Sequence, residues 1–304
     1  MSYAFTRSLG FFSALKKVIL STKKTNSSLS YRLLLQVSLV PTVWLLRKSS
    51  KISSFLNLSI CLRISAMDGN SSCALVLCGK SSAENETAKT LKNTGALKLT
   101  DNTELSILLH PESEKPIKED AFGVDSFMNS LSTNRFGRFL LWSPRLPSTH
   151  DVVSQNFCEL PIGAVCVADV QYKGRGRSKN AWESPKGCLL FSFTLQMEDG
   201  RVVPLIQYVV SLAVTEAIKD VCDKNGLPYV DVKIKWPNDL YLNGLKVGGI
   251  LCTSTFKSKQ FNVSAGIGLN VDNEKPTTCL NTFLRELSVT TYQFRREDIL
   301  ASFF

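Results

Sequence analysis

The stretch YKGRGRSKNAWESPKGC (residues 172–188) separates two apolar runs, GAVCVADV (163–170) and LLFSFTL (189–195). Both runs are rich in Val, Leu and Phe, which is typical of buried strands. Hairpin connections usually take about two to five residues. This connection is longer, and it combines three glycines with five Lys and Arg residues. The pattern predicts a loop with a function of its own, and its charge favours an anionic ligand.

The apolar periodicity around this loop predicts a sheet with helices packed against it. Residues 204–224 repeat Val, Ala and Ile at spacings of three and four, which predicts a helix. Residues 231–236 and 262–271 alternate as half-buried strands do, and Asn243-Gly244 between apolar runs predicts a hairpin. Because hairpins outnumber strand–helix–strand units, we predict an α+β fold with a mixed, largely antiparallel sheet flanked by helices.

The first 67 residues differ in composition from the rest. They hold ten Lys and Arg, no Asp or Glu, and many Ser, a composition typical of an organelle transit peptide. The net charge of +10 lies entirely there, since the remainder carries 26 basic and 26 acidic residues. That balance argues against a polyanion-binding surface. We therefore predict that residues 1–67 are a disordered transit peptide for the chloroplast or mitochondrion, and we expect no nucleic-acid partner.

Other interpretations of this segment remain open. Residues 31–46 are apolar enough to suggest a membrane anchor, but Arg32, Gln36 and Pro41 interrupt them and the run is short for a bilayer. No stable membrane insertion is expected. A secretory signal would place its apolar core nearer the start. Met67 offers a second start site, which would give a cytosolic form.

Residues 68–136 give weaker signals. We predict a poorly defined N-terminal extension and linker there, with a strand over residues 73–79 and a short capped helix over 81–93. Residues 109–120 are charged and broken by proline. The catalytic or binding domain is assigned to residues 137–304.

The cysteines and histidines do not predict a structural zinc site. The chain has nine Cys and two His, no Cys-x-x-Cys pair, and His110 and His150 lie far from any cysteine cluster. The apolar settings of Cys166, Cys188 and Cys252 predict reduced, buried thiols.

The glycine-rich loop contains the residue types of an anion site. Gly174 and Gly176 let backbone N–H groups approach an anion closely. Arg175 and Arg177 can donate charge-assisted hydrogen bonds to phosphate or carboxylate, and Trp182 can stack on a ring. By itself the loop fits a flexible basic surface or an RGG-like RNA contact as well.

Three further clusters narrow the choice. KWPND (residues 235–239) sets an amide and a carboxylate directly after a strand and a proline; the pair can hold Mg²⁺ and also fits an ordinary turn. LKVGGIL (245–251) places Lys246 before two glycines, and GIGLN (266–270) again puts glycines into a strand. Glycine inside a strand indicates close approach by a ligand or another backbone.

In their order along the chain, these four clusters resemble the biotin–protein ligases, also called holocarboxylase synthetases, over residues 139–271. The resemblance is strongest to eukaryotic members, and the presequence is plant-like. It implies the catalytic fold shared with class II aminoacyl-tRNA synthetases and a reaction that uses ATP, Mg²⁺ and biotin. Biotin would be activated as biotinoyl-5′-AMP and transferred to a lysine on the biotin carrier domain of a carboxylase, such as acetyl-CoA carboxylase.

The resemblance also implies roles for individual residues. Arg177 is expected at the phosphate, Lys246 at carboxylate or phosphate oxygens, and Asp239 at Mg²⁺, so these three are the expected catalytic residues. The residues implied to bind biotin or the nucleotide are Ser148, Thr149, His150, Gln171, Gly174, Arg175, Gly176, Arg177, Trp182, Asn238, Lys246, Gly249, Gly266 and Asn270. Family members often have Asn in place of His150, and Asn180 stands where some have a further Arg.

The end of the chain predicts a further helix. Residues 294–304 predict a helix whose apolar last turn, with Phe303 and Phe304, is exposed and frays. Family members continue into a small β-barrel, so the resemblance implies that this C-terminal domain is absent and the ligase is weak or inactive.

The alternative functions are a lipoate or octanoate ligase of the same fold, an inactive paralogue or isoform, and an RNA-binding module using the GRGR loop.

Overall fold

The computed structural model describes residues 72–99, 104–110, 120–273 and 275–304. The predictions for residues 1–67, including the transit peptide, the anchor and the start at Met67, lie outside the described residues. Within the described ranges, nine strands form one sheet. In chain order they are β1 Ser72–Gly79, β2 Glu104–Leu109, β3 Phe139–Ser143, β4 Val165–Ala168, β5 Cys188–Met197, β6 Lys233–Lys235, β7 Asp239–Leu242, β8 Leu245–Lys257 and β9 Gln260–Asn270.

The sheet has the predicted mixed, largely antiparallel character. Its strand order is β2-β1-β3-β4-β5-β9-β8-β7-β6. The β1–β2 and β3–β4 pairs are parallel, and the remaining pairs between described strands are antiparallel. The predicted hairpin at Asn243-Gly244 joins β7 to β8, and both of its residues adopt positive φ, as this turn requires.

Helices cover both faces of the sheet. They are α1 Ser82–Thr94, α2 Val124–Ser130, α3 Thr149–Gln155, α4 Ile206–Lys224, α5 Leu280–Glu286 and α6 Arg296–Phe303. The apolar sides of α2, α4, α5 and α6 form one core with the first face. A second, smaller core joins α1 and α3 to the other face. None of the helices in the described part of the chain is long and apolar enough to cross a membrane.

The structure corrects the prediction that residues 68–136 are a poorly defined extension and linker. β1 pairs with β3 and β2 with β1, so both strands before residue 137 belong to the same sheet. The strand and the capped helix expected there are confirmed as β1 and α1, and Ser81 and Glu84 form the capping box of α1. The sequence concealed this because β2 does not alternate cleanly between buried and exposed positions.

The predicted exposed last turn is also wrong. Phe303 is 1% exposed and Phe304 is 9% exposed. Their rings pack edge-on against Phe191 and Phe193 of β5, and Phe304 stacks on Phe136 at 6.2 Å between centroids. The aromatic side chains of β5 therefore provide the partner that the local sequence of α6 does not reveal.

Candidate active site

A cavity of about 170 Å³ lies on the second face of the sheet, between α3, the glycine-rich loop and strands β5, β8 and β9. It gathers residues from all four sequence clusters. The predicted site residues that line it are Ser148, Thr149, His150, Gln171, Arg175, Gly176, Arg177, Trp182, Asn238, Asp239, Lys246, Gly249 and Gly266. The four clusters therefore supply most of this wall.

Glycines on neighbouring strands form the floor of the cavity. Gly249 of β8 pairs with Gly268 of β9, and Gly266 lies two residues before Gly268. A Cβ added to Gly268 would lie 2.5 Å from Trp182 Nε1, and one added to Gly266 would lie 3.0 Å from Ser192 Oγ. The strand glycines are thus approached closely by side chains of the protein itself. Any larger residue at these glycine positions would displace those side chains.

A chain of uncharged polar groups lies at the start of α3. The Ser148 hydroxyl caps the helix. Gln171 Oε1 accepts hydrogen bonds from Thr149 N at 2.7 Å and from Thr149 Oγ1 at 3.0 Å, while its Nε2 donates to Ser184 Oγ at 3.0 Å. Thr149 Oγ1 also lies 2.9 Å from Ser192 Oγ. This wall offers donors and acceptors without charge, which suits a neutral polar ring.

His150 is buried beside these groups and is neutral at pH 7. Its Nε2 lies 3.1 Å from Thr253 Oγ1, whereas Nδ1 has no hydrogen-bond partner among the described residues. Burial, and then the positive charge of Arg175, lower the pKa of His150 to about 4. His150 therefore adds a neutral ring to the cavity wall.

A second group of lining residues is charged. Lys246 Nζ lies 2.7 Å from Asp239 Oδ1 and 5.5 Å from the centre of the Trp182 ring. Arg177 Nη1 donates to Asn238 Oδ1 at 3.2 Å. Cations placed in this way can offset the negative charge of phosphate oxygens. The cavity therefore combines a neutral polar wall with a cationic one.

Asp239 supplies the carboxylate among the described residues that line the cavity. Elsewhere in the described ranges no three His, Cys, Asp or Glu side chains group closely enough to hold a metal ion. Mg²⁺ in nucleotide sites usually takes one or two protein carboxylates and fills its other positions with phosphate oxygens and water. The single carboxylate fits a magnesium ion that arrives with a nucleotide.

Two predicted site residues lie outside the cavity wall. A Cβ on Gly174 would lie 2.5 Å from the Trp182 carbonyl oxygen, so this glycine permits the tight fold of the loop. Asn270 is buried, donates to Thr278 O at 3.0 Å and accepts from Cys188 Sγ at 3.4 Å. The structure therefore gives Asn270 contacts that hold the segment after β9, away from the cavity.

Sequence reasoning missed several residues of the site. Ser192 lies in an apolar strand, Gly268 belongs to the GIGLN cluster but is not among the predicted site residues, and Thr253 follows the glycine pair of β8 by several positions. Strand alternation carries the signal, because Ser192 and Thr253 fall on the same face as the strand glycines.

Comparison with known proteins decides the family. The model of the Biotin/lipoate A/B protein ligase family matches residues 142–270. Biotin–protein ligase 1, chloroplastic, of Arabidopsis thaliana is 68% identical over 249 residues, which are 81% of this chain and 68% of that protein. The chain belongs to the biotin–protein ligase family.

Two further biotin–protein ligases are similar to the chain. Biotin–protein ligase 2 of Arabidopsis thaliana is 66% identical over 240 residues, covering 78% of this chain and 73% of that protein. Both high-identity relatives are plant proteins, as the plant-like character predicted. A biotin protein ligase from Aquifex aeolicus, solved in complex with biotin and ATP, matches with a TM-score of 0.40 and 28% identity over 54% of this chain and 66% of that one.

Proposed function

We propose that the chain is an ATP-dependent biotin–protein ligase, which activates biotin as biotinoyl-5′-AMP and transfers the biotinoyl group to a lysine of a biotin carrier domain. The observation that carries this proposal is the junction of two walls in one cavity. Thr149 and Gln171 provide uncharged hydrogen-bonding groups, and Arg177 and Lys246 provide cations. Condensing a small acid with a nucleotide needs both. Membership of the family supports the same assignment.

The neutral wall is suited to the ureido ring of biotin. That ring has two N–H donors and one carbonyl acceptor, and it carries no charge. The hydroxyls of Ser148 and Thr149 and the neutral ring of His150 line the cavity where this ring would lie. A plain acyl chain offers no donor or acceptor to this polar wall, and that difference should discriminate between the two classes of substrate.

In the first step a carboxylate oxygen of biotin forms a bond to the α-phosphorus of ATP. The bond between that phosphorus and the bridging oxygen to the β-phosphate breaks, and pyrophosphate leaves with its electrons. Arg177 and Lys246 offset the negative charge that two anions bring together. Asp239 would hold Mg²⁺, which would supply further neutralisation of the phosphates. The ion pair between Lys246 and Asp239 fixes the direction of the ammonium group.

In the second step the amine of the carrier lysine attacks the acyl carbon of the adenylate. The bond from that carbon to the phosphate oxygen breaks, AMP leaves, and the amine releases a proton to water as the amide forms. This route needs no covalent bond to the enzyme. Its main requirement is protection of the mixed anhydride from water until the lysine arrives, a role suited to the glycine-rich loop beside the cavity.

The direct test incubates the full chain with biotin, MgATP and a purified carrier domain. Mass spectrometry should show one biotinoyl group on a single carrier lysine, and none without ATP. Calorimetry should also show tighter binding of biotin than of lipoate or octanoate. Equal or tighter binding of lipoate would favour the acyl-ligase alternative, and biotin binding without transfer would favour an inactive form.

The cellular setting of the reaction is part of the proposal. The acid-free, Ser-rich composition of residues 1–67 and the chloroplastic designation of a 68% identical relative both support delivery to the chloroplast. The carrier domain of acetyl-CoA carboxylase is the partner we propose. Fusion of residues 1–67 to a fluorescent protein tests the first point, because cytosolic fluorescence would contradict it.

A further inference from the structure

A buried carboxylate beside the cavity anchors the glycine-rich loop. Asp151 lies in the first turn of α3, directly after Thr149 and His150, and its side chain is 12% exposed. Arg175 of the loop donates a hydrogen bond from Nη2 to Asp151 Oδ1, although the Arg175 side chain itself is 53% exposed. An exposed loop residue is thereby tied to a fixed point on the helix that bears the neutral wall.

The anchored segment is a short hairpin. Trp182 N donates to Gly174 O at 2.9 Å, and Gly176 N donates to Asn180 O at 2.8 Å. Residues 174–182 are therefore held together by their own backbone hydrogen bonds. This hairpin carries both arginines of the loop as well as Trp182, so one anchor positions all three side chains.

A second polar contact from this hairpin to the cavity wall is weaker. Arg177 Nη1 donates to the neutral Asn238 side chain at 3.2 Å, in an exposed position where water competes. The pair between Arg175 and Asp151 has opposite charges and one buried partner. Opening of the hairpin must therefore break this pair.

We infer that Asp151 is a positioning residue that holds the hairpin of residues 174–182 closed beside the cavity. In doing so it retains the adenylate until the carrier lysine arrives. Closure of the hairpin by Asp151 is inferred from the geometry alone, whereas retention of the adenylate rests on the proposed function. Asp151 itself does not line the cavity, so its effect passes through Arg175.

Limited proteolysis of the full chain tests the anchor without any assumption about the reaction. Trypsin cleaves after Arg175, Arg177 and Lys179, and it does so only when the hairpin opens. Asp151→Asn removes the charge at equal size, and we expect cleavage there to become about tenfold faster or more, as the loss of a charge-assisted hydrogen bond implies. Asp151→Glu keeps the charge and should restore part of the protection.

A matched control and a second route keep the test decisive. Asp272→Asn breaks an exposed pair with Arg285 at 3.5 Å and should leave the cleavage rate unchanged. Arg175→Gln breaks the same pair from its exposed side and replaces Asp151→Asn in the test if that variant does not fold. Since this change removes the cleavage site at residue 175, cleavage is then followed after Arg177 and Lys179. Because both changes break one pair, the double variant should be cut no faster than the faster single variant.

Formation of AMP from biotin and MgATP without a carrier reports loss of the adenylate to water. We expect it to rise about tenfold in Asp151→Asn. Wild-type protection from trypsin in both Asp151→Asn and Arg175→Gln overturns the anchor. Faster cleavage with unchanged AMP formation overturns the retention role. Faster cleavage with no biotin-dependent AMP from any variant, wild type included, leaves the anchor intact and refutes the proposed function.

Discussion

Lys246 Nζ lies 2.7 Å from Asp239 Oδ1, and the two residues come from neighbouring strands at one wall of the cavity. Asp239 starts β7 and Lys246 is the second residue of β8, so the hairpin at Asn243-Gly244 brings them together. The pair explains why KWPND and K.GGIL occur as two motifs in one chain. Each supplies one charge, and the turn between them sets the distance.

The first prediction removes the cation of this pair. Lys246→Gln should slow pyrophosphate release by a factor of about 10 to 100, since one charge-assisted contact is worth about 1.5–3 kcal/mol. It also leaves the Asp239 carboxylate unpaired near the phosphates. Lys233→Gln is the matched control, because Lys233 pairs with Asp231 at the same 2.7 Å on the surface. Equal loss in both variants would contradict a role at the phosphate.

The second prediction concerns Arg177. Because Arg177 contacts Asn238 and not the neutral wall, Arg177→Ala should reduce adenylate formation more than biotin binding. The variant should lose about 2 kcal/mol of transition-state stabilisation, measured from the fall in kcat/KM for ATP-dependent pyrophosphate release. Calorimetry with biotin alone should give a nearly unchanged affinity. Wild-type pyrophosphate release would show that Arg177 is an ordinary surface residue.

The third prediction uses the glycine floor. Gly268→Ala places a methyl group against the Trp182 ring, where the new Cβ would lie 2.5 Å from Nε1. We expect a loss of about 1–3 kcal/mol in the free energy of unfolding. In a Trp182→Ala background the same change should cost less than half as much, because the clash has gone. Urea unfolding of the four proteins measures the coupling, and simple additivity would exclude this contact as the cause.

The sequence predicted the residues that line the cavity better than it predicted the limits of the domain. Gly249, Gly266 and Lys246 could be chosen because glycines within strands and cations beside them are local signals. The pairing of β1 and β2 within the sheet could not be predicted, since a parallel pair between residues 72–77 and 104–109 leaves no turn signal between them. Burial of Phe303 and Phe304 likewise depends on β5, which lies about a hundred residues earlier in the chain.

The fourth prediction tests that burial. Phe303→Ala should lower the free energy of unfolding by about 3–5 kcal/mol, because Phe303 is 1% exposed and packs against Phe191 and Phe193. Phe256→Ala is the matched control. Because Phe256 is 65% exposed, its replacement should lower the free energy of unfolding by less than about 1 kcal/mol. Urea unfolding followed by circular dichroism gives both values. Similar values for the two variants would mean that the last turn frays in solution.

The fifth prediction is a pH dependence of stability that originates at His150. Burial and the charge of Arg175 lower the pKa of His150 from 6.5 to about 4 in the folded protein. Between these two pH values the unfolded chain binds a proton at His150 that the folded protein does not bind. The contribution of this residue to stability is therefore complete above pH 6.5 and is lost as the pH falls towards 4.

The size of the effect follows from the two pKa values. Lowering the pH from 7.5 to 4 should reduce the free energy of unfolding through His150 by about 3 kcal/mol. Other groups also titrate in this range, and burial of Asp169 raises its pKa, so the wild-type curve alone does not isolate His150. The measurement is the difference between wild type and His150→Asn in urea unfolding at several pH values. Asn keeps a polar group opposite Thr253 but does not titrate, so its stability should fall less steeply between pH 6.5 and 4. Parallel curves for the two proteins would show that His150 is solvated, and that its ring is not held neutral in the cavity wall.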